Sequence, residues 1–192
     1  MSKAIYKAFI TASALAAALA LSASAEAATA GLDLFGVPLS GATTASVEAA
    51  AIKAGMKPIH DDRAQCKMFL VNGLLKGAKT FEVCGTNKGE FAAANYTFPS
   101  FLDTDQVGRI VLMVKSKYGM PDHASGNLTV GPVEVDWIRG GHTLLQVRRD
   151  WPSTTTYMTY AYLPGWKTMA KEITAERQAK KAEQYKKQSS AY

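Results

Sequence analysis

The sequence predicts an α+β fold of two tandem units, each a helix followed by three strands, with antiparallel sheets and helices on one face. Three observations support this prediction. The helix end at Ala54-Gly55-Met56 recurs at Tyr118-Gly119-Met120, three strand-like runs follow each helix, and a helix-favouring segment follows the second unit. One helix on three strands is too small to bury a core alone. The units, about 43–98 and 103–162, are therefore expected to share one.

The composition is that of an ordinary globular protein. The 192 residues are 47% hydrophobic and 20% charged, which excludes a disordered, collagen-like or coiled-coil chain. A chain of this length holds one domain of ordinary size or two very small ones. We predict a single α+β domain over residues 26–165.

The first 25 residues have the pattern of a signal peptide. Lys3 and Lys7 precede an apolar run over Ala8–Leu21, and Ala23-Ser24-Ala25 then forms a cleavage pattern. A second triplet, Ala28-Thr29-Ala30, allows cleavage as late as residue 30. The alternative, a retained membrane anchor, needs about 20 apolar residues, more than this run provides. We therefore expect a soluble exported bacterial protein, periplasmic or secreted, with no transmembrane segment.

Capping and turn residues delimit the first unit. Thr43 and Thr44 suit the N-cap of a helix over Ala45–Ala54, which stops at Gly55. Strands are predicted over the apolar runs that follow: Ala64–Val71, Ala78–Gly85 and Glu90–Phe98. The segment Gly31–Leu39 is expected to add an edge strand.

The second unit repeats this layout with a helix about one turn longer. Asp103 and Gln106 have the spacing of a capping box. Apolar residues then recur at helical spacing: Val107, Ile110, Val111 and Val114. The helix stops at Gly119, and the turn-like composition of 121–126 separates it from the predicted strands, which are Pro132–Ile138, Thr143–Arg149 and Thr154–Tyr162.

Cys66 and Cys84 are predicted to form a disulfide, because two cysteines in an exported chain are expected to be oxidised together. A hairpin centred near Leu75 places Cys66 opposite Cys84 and Phe69 opposite Phe81. Directly opposed residues bring their Cα atoms within disulfide reach. A redox or zinc role is disfavoured, because the sequence has neither a C-x-x-C pair nor two further cysteine ligands.

The hairpin at Gly140-Gly141 has two possible registers. A three-residue loop opposes Trp137 to Leu145 and Val135 to Val147, whereas a two-residue loop would oppose Val135 to a glutamine. The first register pairs apolar residues with apolar residues and is preferred, with a glycine in the left-handed conformation. Trp137 is then a core residue.

The excess positive charge lies at the two ends of the chain. Residues 26–165 hold equal numbers of basic and acidic residues, whereas residues 166–192 hold seven basic residues against three glutamates. A nucleic-acid-binding domain would need basic residues clustered on its folded face, so that class is excluded. Trp166, Met169, Ala170 and Ile173 are spaced to anchor a helix on the body. Lys180 and Lys181 lie beyond, in a segment that is either a solvated helix or a basic arm.

The last predicted strand carries candidate partner-binding side chains. Tyr160 shares a face with Met158, and Tyr157 shares the opposite face with Thr159. Tyrosine, tryptophan and arginine are enriched in binding hot spots. The candidate residues are Arg148, Arg149, Trp151, Tyr157 and Tyr160, with Lys180 and Lys181 of the tail. The alternative is that these aromatic residues pack under a helix.

The sequence contains no recognised catalytic motif, and we predict no cofactor and no metal. The histidines are His60, His123 and His142. The cluster His60-Asp61-Asp62 could seed a metal site, but adjacent residues on regular structure rarely point at one ion, so a solvated loop is preferred. A Ser-His-Asp triad can be assembled on paper from many residues and indicates nothing.

The tandem layout, with helix ends at Ala54-Gly55-Met56 and Tyr118-Gly119-Met120, resembles the β-lactamase-inhibitory protein family. A single unit is similar in outline to small envelope-assembly subunits of the BamE type. The resemblance covers most of 43–162 and is one of layout, with no diagnostic motif and no lipid-attachment cysteine. It implies a protein-binding role without catalysis and transfers no functional residue.

The sequence is therefore interpreted as a small exported, non-catalytic module that binds another periplasmic protein through its sheet face. One alternative is a structural envelope component that binds an anionic surface through its basic tail. A second is an enzyme with an unrecognised site.

Overall fold

A computed structural model describes residues 31–59, 65–100 and 103–189. The predicted signal peptide over 1–25 and the cluster His60-Asp61-Asp62 lie outside these ranges. Within them the helices are α1 Thr44–Lys53, α2 Gln106–Tyr118 and α3 Leu163–Ser189. The strands are β1 Asp33–Leu34, β2 Val37–Pro38, β3 Lys57–Ile59, β4 Cys66–Leu70, β5 Thr80–Gly85, β6 Phe91–Phe98, β7 His123–Gly126, β8 Val133–Arg139, β9 Thr143–Arg149 and β10 Thr156–Tyr162.

The predicted α+β class is confirmed. In the described part of the chain, eight strands form one antiparallel sheet in the order β3-β4-β5-β6-β10-β9-β8-β7. The first unit supplies β3 to β6 and the second supplies β7 to β10, so the last strand of each unit lies at the centre. There β6 and β10 pair antiparallel from Thr156↔Phe98 to Ala161↔Ala93. The two units therefore meet edge to edge and extend one sheet.

Helix α1 begins and ends where its capping residues place it. Thr43 is the N-cap, its hydroxyl accepts from Ser46 N–H, and the Ser46 side chain accepts from Thr43 N–H in return. Gly55 follows the helix with φ +101°, a conformation that favours glycine. The predicted boundaries of this helix are confirmed to within a residue at each end.

The predicted capping box places the N-cap of helix α2 at Asp103, but the helix begins two residues later. Its N-cap is Asp105, which makes no side-chain cap bond. Asp103 instead accepts from the Asp105 N–H and forms an ion pair with Arg109. The carboxylate thus joins the loop to the helix flank rather than capping the helix. The predicted apolar stripe is confirmed, since Val107, Ile110 and Val114 are buried.

The strand registers agree with the sequence analysis. Cys66 lies opposite Cys84 and Phe69 opposite Phe81. Trp137 lies opposite Leu145 across a three-residue loop whose glycines both have positive φ. Trp137 is fully buried, as predicted.

Each unit has one strand more than predicted. β3 and β7 form the two edges of the main sheet, and both follow directly after a helix end. The prediction of a turn over 121–126 is wrong, because His123–Gly126 forms a strand that pairs with β8 from His123↔Asp136 to Gly126↔Val133. These short runs contain proline, glycine and polar residues. Backbone pairing with a longer neighbour outweighs their poor strand propensity.

The segment Gly31–Leu39 does not extend the main sheet. It forms a separate two-stranded hairpin, β1–β2, with Leu34 opposite Val37. Leu32, Leu34 and Leu39 are buried in the main core. The predicted edge strand is therefore wrong. Burial of these apolar side chains places the segment over the face of the sheet on which α1 and α2 also lie (the covered face), rather than at the edge of the sheet.

The main core lies between the sheet and the helices α1 and α2. Val47 and Ala51 of α1 and Val107 of α2 pack in one cluster with the sheet residues Phe81 and Val147. These two helices therefore lie on one face of the sheet, as predicted. A second cluster, Cys84, Ala92 and Met169, with Cys66 and Ile173 packed against it, lies on the opposite face under α3.

Helix α3 approaches β6 closely at Gly165. A Cβ at that position would lie 2.2 Å from the backbone oxygen of Phe91, so glycine is required there. Met169 is buried and Ile173 half-buried, which confirms their predicted anchoring role. Trp166 is 46% exposed and Ala170 is also exposed, so neither of these two anchors the helix. Within the described ranges, none of the helices combines the length and apolarity needed to cross a bilayer.

Candidate functional site

The face of the main sheet opposite α1 and α2 carries the predicted partner-binding strand. Because side chains alternate along a strand, every second residue points to this side. We call it the open face, and its central side chains are Thr80, Glu82, Asn95, Thr97, Glu134, Asp136, Gln146, Arg148, Tyr157 and Thr159. Among the described helices, α3 alone packs on this side, at the corner that holds the disulfide.

The middle row of the open face is polar and internally hydrogen-bonded. Directly opposed residues run from Glu82 through Asn95, Thr159 and Gln146 to Asp136. The Thr159 hydroxyl donates to Asn95 Oδ1 at 2.9 Å, and Gln146 Nε2 donates to Asp136 Oδ1 at 2.9 Å. These pairs fix the side chains in place, so the row presents a preformed polar surface.

The next row contains the aromatic and cationic candidates. Tyr157 lies opposite Thr97 on one side and Arg148 on the other, and Arg148 lies opposite Glu134. The Arg148 side chain is 49% exposed, and its guanidinium pairs with Asp150 at 2.7 Å. The structure thus brings Tyr157 and Arg148 together as a cross-strand pair on the open face.

The other two strand candidates lie on the covered face. Tyr160 is buried, 7% exposed, in the main core. Arg149 is also buried, and its guanidinium donates to the backbone oxygens of Gly131, Thr129 and Asn127 at 2.9 to 3.3 Å. Both side chains hold the fold together, and neither is accessible to a partner. For Tyr160, the alternative of packing under a helix is the one observed.

The remaining candidates lie away from the open face. Trp151 is 62% exposed in the loop between β9 and β10, where it lines a small cavity of about 190 Å³ with Val130 and Pro152. Lys180 and Lys181 lie on the exposed part of α3, and Lys180 pairs with Glu176 one turn earlier. This pairing holds the pKa of the Glu176 carboxyl below its usual range.

The predicted disulfide is confirmed at the corner covered by α3. The sulfur atoms of Cys66 and Cys84 are bonded, and their Cα atoms lie 4.1 Å apart. Glu172 of α3 accepts from the Asn87 N–H and from Gln65 Nε2, which ties the helix to the neighbouring loops. The Glu82 carboxylate lies within 4.8 Å of both sulfurs, but disulfide sulfurs are not the thiolates that bind metals.

A cleft on the covered face is lined by residues that no sequence motif marks, apart from Tyr160. Its volume is about 390 Å³, and it lies between α2 and the β1–β2 hairpin. Tyr96 and Tyr160 contribute to its lining from the central strands, where the two units join. No local sequence pattern brings these elements together, because the lining of the cleft comes from five separate parts of the chain.

Three tyrosines of this cleft have perturbed acidity. Burial, together with the Asp33 carboxylate, raises the pKa of Tyr118 to about 12. Burial raises the pKa values of Tyr96 and Tyr160 further, and each is raised again by a neighbouring tyrosine. The Tyr118 hydroxyl donates to the backbone oxygen of Asp33 at 3.2 Å and accepts from Tyr160. These phenols are neutral near pH 7.

The described histidines lie at the surface. His123 is on the edge strand β7, opposite Asp136, and His142 is in the turn between β8 and β9. Neither lines the cleft. His60 lies outside the described residues, so the metal alternative at His60-Asp61-Asp62 stays a hypothesis.

Comparison with known proteins gives one distant structural match. No family model matches the sequence, and no curated protein is detectably similar to it. A crystal structure of a DUF4309 family protein, YjgB from Bacillus subtilis, matches with a TM-score of 0.43 and 10% sequence identity. The alignment covers 72% of this chain and 92% of that one. A match at this level carries no functional conclusion, and the resemblance to the β-lactamase-inhibitory protein family stays a prediction.

Proposed function

We propose that this protein is an exported, non-catalytic module that binds another periplasmic protein through its open face. The observation that carries the proposal is the cross-strand pair Tyr157–Arg148 on the adjacent strands β10 and β9, on a sheet face that α1 and α2 leave uncovered. Tyrosine and arginine are common hot-spot residues, and both are held here on regular strands.

The dimensions of the open face suit a docking surface. Strand spacings of about 4.8 Å give a width of roughly 34 Å from β3 to β7, and strands averaging about six residues are roughly 20 Å long. The resulting area, roughly 700 Å² before subtracting the corner under α3, approaches the roughly 800 Å² that one partner contributes to a standard interface. The preformed side-chain pairs reduce the entropy lost when a partner binds.

The disulfide supports export. Disulfides persist in oxidising compartments and are rare in the cytosol, so the bonded pair Cys66–Cys84 fits a protein that folds outside the cytoplasm. The signal-peptide pattern of residues 1–25 indicates the same compartment.

The proposal is tested by alanine substitution on the open face. The double variant Tyr157→Ala with Arg148→Ala is expected to lose at least tenfold in partner capture, measured by affinity purification from periplasm with crosslinking. Its melting temperature should stay close to that of the parent protein. Leu112→Ala, at an exposed position of α2 on the other side of the sheet, is the control and should retain capture. Unchanged capture by the double variant would contradict the proposal.

A second candidate function concerns the distal part of α3. From Thr174 to Ser189 every described residue of this helix is exposed. Over 176–189 five basic residues outnumber two glutamates. Such a helix is suited to an anionic envelope surface. Deletion of 176–192 should then abolish salt-sensitive sedimentation with vesicles that contain anionic lipid, and unchanged sedimentation would exclude this function.

A further inference from the structure

The cleft between the two units has the size of a small-molecule site. Its volume of about 390 Å³ lies within the usual range for ligand pockets. One wall is α2, the opposite wall is the β1–β2 hairpin with Leu75, and the floor is formed by β6 and β10. The cleft lies on the covered side of the sheet, away from the open face.

One tyrosine hydroxyl of this cleft is not used by the described part of the protein. Tyr96 is 4% exposed and lines the cleft. The neighbouring phenols are used internally, since Tyr160 donates to Tyr118 and Tyr118 donates to Asp33 O. Among the described residues the Tyr96 hydroxyl makes no hydrogen bond, so it can donate to a bound molecule.

The charges in the cleft are already paired. Of the described residues that line it, Lys117 and Asp33 are charged, and they form an ion pair at 3.0 Å. Much of the remaining lining is apolar: Leu34, Phe35, Leu75, Met113, Val114 and Met158. A charged ligand would lose its hydration in this setting without gaining a free counter-ion.

We propose that this cleft binds an uncharged, largely apolar small molecule that accepts a hydrogen bond from the Tyr96 hydroxyl. The acceptor is a carbonyl or ether oxygen placed above the floor of the cleft. The apolar body of the molecule packs between Met113 on α2 and Leu34 and Phe35 of the hairpin. Because the walls come from both units, the ligand also bridges them.

The test uses the full-length protein and the probe prodan, an uncharged naphthalene ketone whose emission reports polarity and hydrogen bonding. Saturable binding with a blue shift relative to water is expected. Tyr96→Phe should weaken binding about three- to tenfold and shift the emission of bound probe further to the blue, because the ketone loses its donor. Tyr157→Phe on the open face is the matched control and should change neither quantity.

A second variant keeps the proposal testable if Tyr96→Phe disturbs the fold. Met113 is 38% exposed at the rim of the cleft, so Met113→Glu should fold normally and abolish prodan binding. The anionic probe anilinonaphthalene sulfonate should bind the parent protein more weakly than prodan does. Absence of saturable prodan binding, tighter binding of the sulfonate, or parental affinity in folded Tyr96→Phe and Met113→Glu proteins would overturn the proposal.

Discussion

Arg148 and Arg149 are neighbours in sequence, yet one pairs with Asp150 on the open face and the other is buried against three backbone oxygens on the covered face. Tyr157 and Tyr160 differ in the same way, half-buried on one side and buried on the other. Residue type alone therefore does not distinguish a candidate partner-binding residue from a structural one. The pleat of the strand and the position of the helices decide between them.

The largest effect is expected at the buried tyrosine. Tyr160→Ala should lower the free energy of unfolding by about 3–5 kcal/mol, because a large buried ring is replaced by a cavity. Urea denaturation measures this change. Tyr157→Ala should lower it by about 1 kcal/mol or less, as for a surface position. Equal losses at the two positions would contradict the difference between the faces.

The disulfide is expected to rank next. Cys66 and Cys84 are 18 residues apart, and the loss of a crosslink over a loop of this size removes about 3 kcal/mol of stability in the chain-entropy model. The variant Cys66→Ala with Cys84→Ala should show this loss by urea denaturation. Partner capture by the open face should persist wherever this variant is folded. No change in stability would show that the crosslink does not constrain the unfolded chain.

Much of the fold could be predicted from the sequence, because its signals are local. Gly55 and Gly119 mark helix ends, and the hairpin register places Cys66 opposite Cys84. The edge strands β3 and β7 could not be predicted, since their pairing depends on a longer neighbouring strand. The alternation of side chains along a strand showed that Tyr157 and Tyr160 point to opposite faces of the sheet. It did not show which of the two faces α1 and α2 cover. The cleft was missed because its walls are brought together only by the tertiary fold.

Substitutions at Arg148 and Arg149 are expected to differ less in their effect on stability than those at Tyr157 and Tyr160. Arg149→Met should lower the free energy of unfolding by about 2 kcal/mol, because the backbone oxygens of Asn127, Thr129 and Gly131 lose a charged donor. Arg148→Met should stay within about 0.5 kcal/mol of the parent protein. Chemical denaturation of the two variants under one condition makes the comparison. A larger loss of stability for Arg148→Met than for Arg149→Met would contradict the assignment of Arg149 as the structural arginine.

Ionisation of the buried phenols is expected to have no effect on stability near neutral pH, and its effect appears only in alkaline solution. The folded pKa values of Tyr96, Tyr118 and Tyr160 lie above the ordinary value near 10. Their contribution to stability is therefore complete below about pH 10 and is lost as the pH rises towards the folded pKa values. Phenolate absorbance should show three tyrosines that ionise late in folded protein and normally in urea. Tyr118→Phe should remove one late group, and an unchanged count of late groups would contradict the assignment.

The most direct test of the open face as the docking surface is site-specific photocrosslinking in the periplasm. A photoreactive phenylalanine analogue is placed at Tyr157 on the open face or at Leu112, which is 66% exposed on α2 on the other side. A discrete adduct with a partner protein is expected from position 157 and none from position 112. An adduct from position 112 with none from position 157 would contradict docking through the open face.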